Sequence, residues 1–218
     1  MNSIDELGEQ VVFDQIISRS ITSFEDDTIT QIGYGVFGYC LNLSSFSAPN
    51  VETIGEYSFQ YTPIQSISFP KLTNIGEGAF SSCEQLRDIN MPLLSTCGDR
   101  AFATCANLEK IVLPSLVKVS EGMFQFCSKL KRVEFSAISD IWNTAFKNCS
   151  LLEAVILRQT EKIVWLNSSD AFEGAPNALV YVPDDLVSSY KKADYWSNSK
   201  VINRIKPLSE LPTEEEET

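Results

Sequence analysis

Several features that support catalysis or metal binding are missing from this sequence. Its 218 residues include no histidine, which is the commonest general base and metal ligand near neutral pH. No two cysteines have the C-x-x-C spacing of a zinc site, and no glycine-rich loop has the G-x-x-x-x-G-K or G-x-G-x-x-G pattern that binds phosphate. Catalysis by Asp, Glu, Cys or Lys stays chemically open, but we predict a non-enzymatic protein with no catalytic residue, cofactor or metal.

Long apolar runs and a leader-like N-terminus are missing as well. No run of eighteen apolar residues occurs, which predicts no membrane insertion. The first 24 residues carry Asp5, Glu6 and Glu9 and lack the basic and apolar regions of a signal peptide. We therefore expect that the chain stays inside the cell, has lost a signal peptide, or is exported by another route.

Basic residues are few, and the acidic excess lies at the two ends. The formal net charge is −12, whereas residues 29–157 hold eleven acids and nine bases. An acidic chain repels phosphate backbones, so the composition argues against nucleic acid as a partner.

What the sequence does contain is a repeat of 21 or 22 residues, present in six copies. Each copy has a phenylalanine, an apolar or sulfur residue five positions before it, and Cys or Thr three positions after it. The consensus is I-x-x-x-x-F-x-x-C-x-x-L-x-x-I-x-L-P-x-L. The repeated phenylalanines are Phe37, Phe59, Phe80, Phe102, Phe124 and Phe146.

This repeat predicts a solenoid of stacked coils. One coil would bury roughly six side chains at about 1.5–3 kcal/mol each, while ordering its backbone costs on the order of 1–2 kcal/mol per residue. A single coil cannot fold, but stacked coils bury each other's apolar faces. The I-x-L alternation predicts a strand in each coil, paired in parallel with its neighbours, and proline marks the strand's end. The segment around each phenylalanine reads as a turn or short helical coil on the opposite side.

The pattern resembles the BspA-like leucine-rich repeat, with Ile75-Gly76-Glu77-Gly78-Ala79-Phe80-Ser81-Ser82-Cys83 as a close instance. The resemblance covers about Ile17 to Lys206. It implies an α/β solenoid with a parallel sheet face and irregular caps. It also implies a bacterial surface-associated adhesion or binding module, or a protein of a bacteriophage, and so a cell-surface or phage-particle location.

Departures from the repeat at both ends suggest caps and the domain boundaries. We assign residues 1–28 to an N-terminal cap, 29–157 to the solenoid, 158–208 to an irregular last repeat with a C-terminal cap, and 209–218 to an acidic tail. Residues 3–16 read as a helix, and Ile17, Ile21 and Phe24 as a degenerate first rung. A strand at Val180–Val182, a helix over Asp184–Asp194 and one more strand through Val201, Ile202 and Ile205 are predicted to close the solenoid.

Three groups of side chains are candidates for special roles. Five of the six cysteines share one repeat column and Cys97 occupies a core isoleucine column, so we predict six buried free thiols rather than disulfides. Aromatic residues beside the turns either pack between coils or form a patch for a glycan or protein. The aromatic residues are Tyr34, Tyr39, Tyr57, Tyr61, Phe126 and Trp142.

The outward strand positions form the third group. They change from serine-rich in the first coils, through mixed charge, to apolar at Ala154 and Ile156. A solvated face with weak ion pairs is one interpretation, and a recognition surface for a protein or glycan partner is the other. A structural role, as a phage-particle component or a cell-surface spacer, is the alternative function. The candidate binding residues are Arg87, Asp88, Lys110, Lys131, Arg132 and Glu134.

Overall fold

A computed structural model of the chain describes residues 20–159, 162–197 and 201–213. The predicted helix over residues 3–16, the position of Ile17 and residues 214–218 of the acidic tail lie outside these ranges.

Short strands recur twice in each coil and form two columns along the solenoid. The strands are β1 Ser23–Glu25, β2 Gln31–Ile32, β3 Ser45–Ser47, β4 Thr53–Ile54, β5 Ser66–Ser68, β6 Asn74–Ile75, β7 Asp88–Asn90, β8 Thr96–Cys97, β9 Lys110–Leu113, β10 Lys118–Val119, β11 Arg132–Phe135, β12 Asp140–Ile141, β13 Ala154–Leu157, β14 Trp165–Leu166, β15 Leu179–Val182 and β16 Ile205–Pro207. The strands of the first column pair in the sheets β1-β3, β5-β7 and β9-β11-β13-β15-β16, and those of the second column pair in the sheets β2-β4-β6-β8 and β10-β12-β14.

Parallel pairing keeps repeat columns in register from coil to coil. In the first column, Phe24 pairs with Phe46, Ile67 with Ile89, and Val133 with Ile111 and Val155. The apolar columns therefore point inward together, as the I-x-L alternation predicts. Pro49, Pro70, Pro92 and Pro114 each lie directly after this part of the coil, at the turn that leads towards the second strand column.

The phenylalanine side of each coil is a hydrogen-bonded turn rather than a helix. The Phe59 N–H donates to the Ala79 carbonyl at 2.7 Å, and the Phe102 N–H donates to Met123 at 3.0 Å. We call this the turn side. Its coils are therefore joined by a third ladder of backbone hydrogen bonds.

Two columns of the turn side have left-handed backbone, which the sequence analysis missed. They lie two residues before and two residues after the repeat phenylalanine. Only glycine adopts such positive φ angles without steric cost. The first column is Gly35, Tyr57, Gly78, Arg100, Gly122 and Thr144, and the second is Tyr39, Tyr61, Ser82, Thr104, Phe126, Asn148 and Gly174.

The repeat phenylalanines form one continuous file through the core. Neighbouring rings from Phe37 to Phe172 stack with centroids 5.1–5.8 Å apart and ring planes within 22° of parallel. The 26-residue interval before Phe172 does not interrupt the file, because its ring lies 5.3 Å from Phe146. Phe24 joins the N-terminal end through Phe37 at 5.0 Å.

The repeat column of Cys40, Thr62, Cys83, Cys105, Cys127 and Cys149 forms a second buried file, and Cys97 lies outside it in the second strand column. All six cysteines are buried and free, which confirms the prediction of packed thiols. The Cys83 thiol donates to the Phe59 carbonyl at 3.0 Å, and the thiols of Cys105, Cys127 and Cys149 make the same bond to the phenylalanine of the preceding coil. Burial raises the pKa of the Cys83 thiol to about 12. The Cys83 thiol therefore stays protonated at neutral pH, and the buried cysteines act as packing groups.

Two aromatic side chains close the C-terminal end of the core. In place of the single helix predicted over Asp184–Asp194, a 3-10 turn, Asp184–Leu186, leads into the α-helix Val187–Lys192, and a second short α-helix, Asp194–Ser197, follows after Ala193. Tyr190 and Trp196 from these helices are fully buried. Trp196 Nε1 donates to the Val164 carbonyl at 2.7 Å, and the Tyr190 hydroxyl accepts from the Val164 N–H at 3.0 Å.

The remaining described elements at this end are 3-10 turns and one strand. The turns are Ser169–Phe172, Ile202–Arg204 and Leu208–Glu210. The predicted last strand is shorter than expected, because Ile202 lies in a turn and pairing begins only at Ile205.

Candidate functional site

The outward side chains of the first strand column form a face that we call the strand face. Asp88 pairs in register with Ser66, and Lys110 pairs with Arg132. Because the strands are parallel and in register, each outward side chain has fixed neighbours one coil away. The strand face is therefore a set of ordered rows rather than a mobile loop surface.

A groove lies on the strand face where the serine-rich coils meet the charged coils. Its volume is about 760 Å³, and Phe46, Ile67 and Ile89 lie on its floor. Three of the predicted binding residues line it: Arg87, Asp88 and Lys110. The other polar residues of the lining are Ser66, Ser68, Asn90, Asn107 and Glu109.

A smaller hollow of about 270 Å³ continues the strand face beyond the groove. Lys131 and Arg132 line it together with Lys110. Lys131 Nζ lies 3.4 Å from Glu109 Oε2, and both side chains are about half exposed, so this pair contributes little to stability. The hollow brings two further predicted residues beside the groove.

Arg132 differs from the sequence expectation. It occupies an outward position but is only 8% exposed, so the prediction of an exposed side chain is wrong. Its register partners are Lys110 and Ala154, and a long arginine stem readily lies along such a surface. Arg132 therefore contributes to the wall of the hollow rather than to its open side.

Glu134 lies further along β11 and is separate from the groove. It forms an ion pair with Arg158, and this contact raises the pKa of the Arg158 guanidinium. Its register partners are Val112 and Ile156. Of the six predicted residues, five therefore line the groove or the hollow, and Glu134 is engaged by Arg158 outside both.

The apolar end of the strand face is covered, which the sequence analysis did not foresee. Ala154, Ile156 and Tyr181 form a small buried cluster on the outer side of the sheet, and Leu208 and Leu211 pack on it. The prediction that Ala154 and Ile156 are exposed is therefore wrong. Their alternation with core residues did place them outside the main core, but the segment that covers them lies more than fifty residues later in the chain.

The aromatic residues of the turn side are both packed and exposed. Tyr39 and Tyr61 stack with centroids 4.8 Å apart, and Tyr34 meets Tyr57 edge to face at 5.8 Å. The exposed fractions of Tyr34, Tyr39 and Tyr61 are 72%, 52% and 43%. Packing between coils is therefore present, and it leaves much of these rings in solvent.

Trp142 and Phe126, the other two aromatic residues predicted beside the turns, have no ring contact with these tyrosines among the described contacts. Lys118 Nζ lies 4.5 Å from the centre of the Trp142 ring, which is half-buried. Phe126 is 46% exposed and lies three coils beyond Tyr61 in the same left-handed column.

The described ranges contain neither a metal-binding cluster nor a membrane-spanning helix. No group of three or more Cys, Asp or Glu side chains in these ranges is arranged to hold a metal ion. Nor does any helix there combine the length and apolar character needed to cross a bilayer.

Comparison with known proteins gives a family. The model of the family described as BspA type leucine rich repeat region matches the chain in six copies, over residues 6–114 and 52–178. No curated protein matches the chain.

Two solved structures share the fold. The leucine rich cell surface protein from Faecalibacterium prausnitzii A2-165 aligns with a TM-score of 0.63 and 22% identity, covering 74% of this chain and 48% of that one. The T. pallidum leucine rich repeat protein aligns with a TM-score of 0.54 and 25% identity, covering 60% of this chain and 63% of that one. The chain thus spans less than two thirds of either protein.

The match covers well over half of the sequence, and its repeat coincides with the files of Phe and Cys side chains. Proteins built from such repeats are generally non-catalytic binding modules. The chain belongs to the BspA-type leucine-rich-repeat family.

Proposed function

We propose that this chain is a non-catalytic module whose strand face recognises a protein or glycan partner through the groove around Arg87, Asp88 and Lys110. The observation that carries the proposal is the groove itself. It is the place where predicted binding residues from separate coils line one concave surface of about 760 Å³.

The chemistry of the groove fits a polar partner. Arg87 and Lys110 supply donors and positive charge, while Asp88 and Glu109 supply acceptors and negative charge. Because the charged side chains balance, the groove suits a partner that offers both donors and acceptors. The partly buried floor of Phe46 and Ile89 adds apolar contact beneath them.

A bacterial surface role is part of the same proposal. One structural neighbour is a cell surface protein, and its fold matches 74% of this chain. Adhesion through the strand face would suit a rigid solenoid, because a surface whose rows are already ordered loses little conformational entropy on binding.

The test removes the groove side chains without touching the core. We expect the Arg87→Ala, Asp88→Ala, Lys110→Ala variant to lose at least about 10-fold in affinity, because truncating a single hot-spot residue near the centre of an interface costs about 2 kcal/mol or more. The labelled full chain is screened on a glycan array and against bacterial and host surface proteins, and each ligand found is then titrated.

The matched control truncates outward residues of the second strand column: Thr53→Ala, Asn74→Ala and Thr96→Ala. This control is expected to bind like the original chain. Equal loss in both variants, or no loss in the groove variant, would contradict recognition through the groove. Ordered self-assembly that both variants retain, without any ligand, would favour the structural alternative.

A further inference from the structure

The turn side of the first two described repeats carries an aromatic surface that the strand-face proposal does not use. We call it the tyrosine platform; it consists of Tyr34, Tyr39, Tyr57 and Tyr61. The rings meet in two pairs, one stacked at 4.8 Å and one edge to face at 5.8 Å. Four of the seven tyrosines of the chain therefore lie on two neighbouring turns, one pair before and one pair after the repeat phenylalanines.

The backbone holds the platform in place. The Tyr39 N–H donates to the Gln60 carbonyl at 2.7 Å, and the Tyr57 N–H donates to the Glu77 carbonyl at 2.8 Å. The Glu77 carboxylate beside it raises the pKa of the Tyr57 hydroxyl. The rings are thus preorganised, and a ligand would not have to order them.

Three of these tyrosines occupy positions that favour glycine. Tyr39, Tyr57 and Tyr61 have φ angles of 61°, 56° and 61°. Other coils place Gly78, Gly122 and Gly174 in the same two columns. Because Arg100 and Phe126 have the same conformation in these columns, the stacked coils impose it, and it fixes where each tyrosine side chain leaves the backbone.

Acidic side chains outnumber basic ones around the platform. Residues 20–70 contain five acidic side chains and no lysine or arginine. Glu56 is exposed beside Tyr57, and Glu77 lies one coil further on, where Arg100 Nη1 approaches it at 3.4 Å. The platform therefore combines exposed aromatic faces with a local excess of negative charge, which is complementary to a cation.

We propose that the tyrosine platform is a second binding surface, and that it takes an arginine- or lysine-rich segment of a partner protein. Guanidinium or ammonium groups of the partner lie over the exposed tyrosine faces, and Glu56 pairs with a neighbouring basic side chain. The ring faces attract cations through their negative π-electron density, and arginine adds planar stacking. This surface is distinct from the groove of the strand face.

Fluorescence anisotropy with the full chain tests the proposal. The probe is a labelled peptide in which arginine alternates with glycine and serine, and its partner is the same peptide with neutral citrulline in place of arginine. We expect the arginine peptide to bind, the citrulline peptide to bind at least about 10-fold more weakly, and affinity to fall as salt rises.

The decisive variant combines Tyr34→Ala, Tyr39→Gly and Tyr61→Gly. Glycine suits the left-handed positions, so the coil is expected to stay folded, as a thermal melt followed by circular dichroism would show. The net charge is unchanged, yet we expect at least about a 10-fold loss of affinity, since each lost cation–aromatic contact is worth roughly a factor of two to five. The variant with phenylalanine at the same three positions keeps the ring faces and is expected to stay within about 3-fold of the original.

Phe126→Gly is the matched control, because it removes an exposed ring from the same left-handed column but outside the platform. It is expected to bind normally. The proposal is overturned if the platform variant binds the arginine peptide as tightly as the original chain, because attraction by net charge alone then suffices. It is also overturned if a labelled neutral oligosaccharide, rather than the arginine peptide, binds in a platform-dependent way.

Discussion

Replacing Phe124 by alanine is expected to lower the free energy of unfolding by about 3–5 kcal/mol. The Phe124 ring is fully buried and stacks between Phe102 at 5.8 Å and Phe146 at 5.7 Å. Its removal leaves a cavity in the middle of the phenylalanine file, and the rings on either side are held by their own coils. Urea denaturation followed by circular dichroism measures the loss.

The matched control for this prediction is Phe126→Ala in the same coil. Phe126 is 46% exposed, and alanine keeps a Cβ at its left-handed position. The free energy of unfolding is therefore expected to change by less than about 0.5 kcal/mol. Equal losses for the two variants would show that the file does not carry the stability assigned to it.

Replacing Gly76 by alanine is expected to cost about 3 kcal/mol, the upper end of the usual cost of overpacking. A Cβ at this position would lie 2.5 Å from the Glu56 nitrogen and 2.8 Å from the Gly55 carbonyl carbon. Both atoms belong to the backbone of the preceding coil, so no side-chain rotation relieves the clash. The two coils must separate, and the hydrogen bond from the Gly76 N–H to the Ile54 carbonyl, 2.8 Å long, is weakened.

Gly35→Ala separates this close approach from backbone strain. Gly35 has a φ of 65°, but a Cβ there meets no atom within 4 Å. Its replacement is expected to cost about 1 kcal/mol through the left-handed conformation alone. Thermal unfolding of the two single variants makes the comparison. A cost for Gly76→Ala no greater than that for Gly35→Ala would mean that the coils are spaced more widely than the structure shows.

The core was predictable because the repeat samples each column several times. Phe80 alone is one buried aromatic, but phenylalanine in six coils at a fixed interval can only form a file once the coils stack. The same argument placed Cys83 and its column equivalents inside. Local propensity mattered less than this repetition, since most strands here are only two or three residues long.

The turn side was harder to predict, because neighbouring coils impose its backbone. Gly35, Gly78 and Gly122 share a column, and this glycine pattern was the available signal for positive φ. Tyr57, Arg100 and Thr144 conceal it, since such residues normally avoid that region. The inter-coil hydrogen bonds hold them there regardless of their own preference.

The position of the candidate site on the strand face was predictable, but which residues of that face are buried by other segments was not. Alternation correctly placed Arg87, Asp88 and Lys110 on the strand face. The alternation could not show that Leu208 and Leu211 cover Ile156. That contact joins segments far apart in the sequence, and no repeating pattern in the sequence signals it. The burial of Arg132 likewise depends on its neighbours across the strands rather than on its own sequence context.

Amide hydrogen exchange at the repeat phenylalanines tests most directly whether each coil is held by the next. In this structure the N–H groups of Phe59, Phe80, Phe102 and Phe124 each donate to a carbonyl of the following coil, at 2.7–3.0 Å. These amides are predicted to exchange only when the stack opens, and therefore far more slowly than in an unfolded chain. Exchange at the rate of an unstructured peptide would contradict a solenoid whose coils stabilise one another.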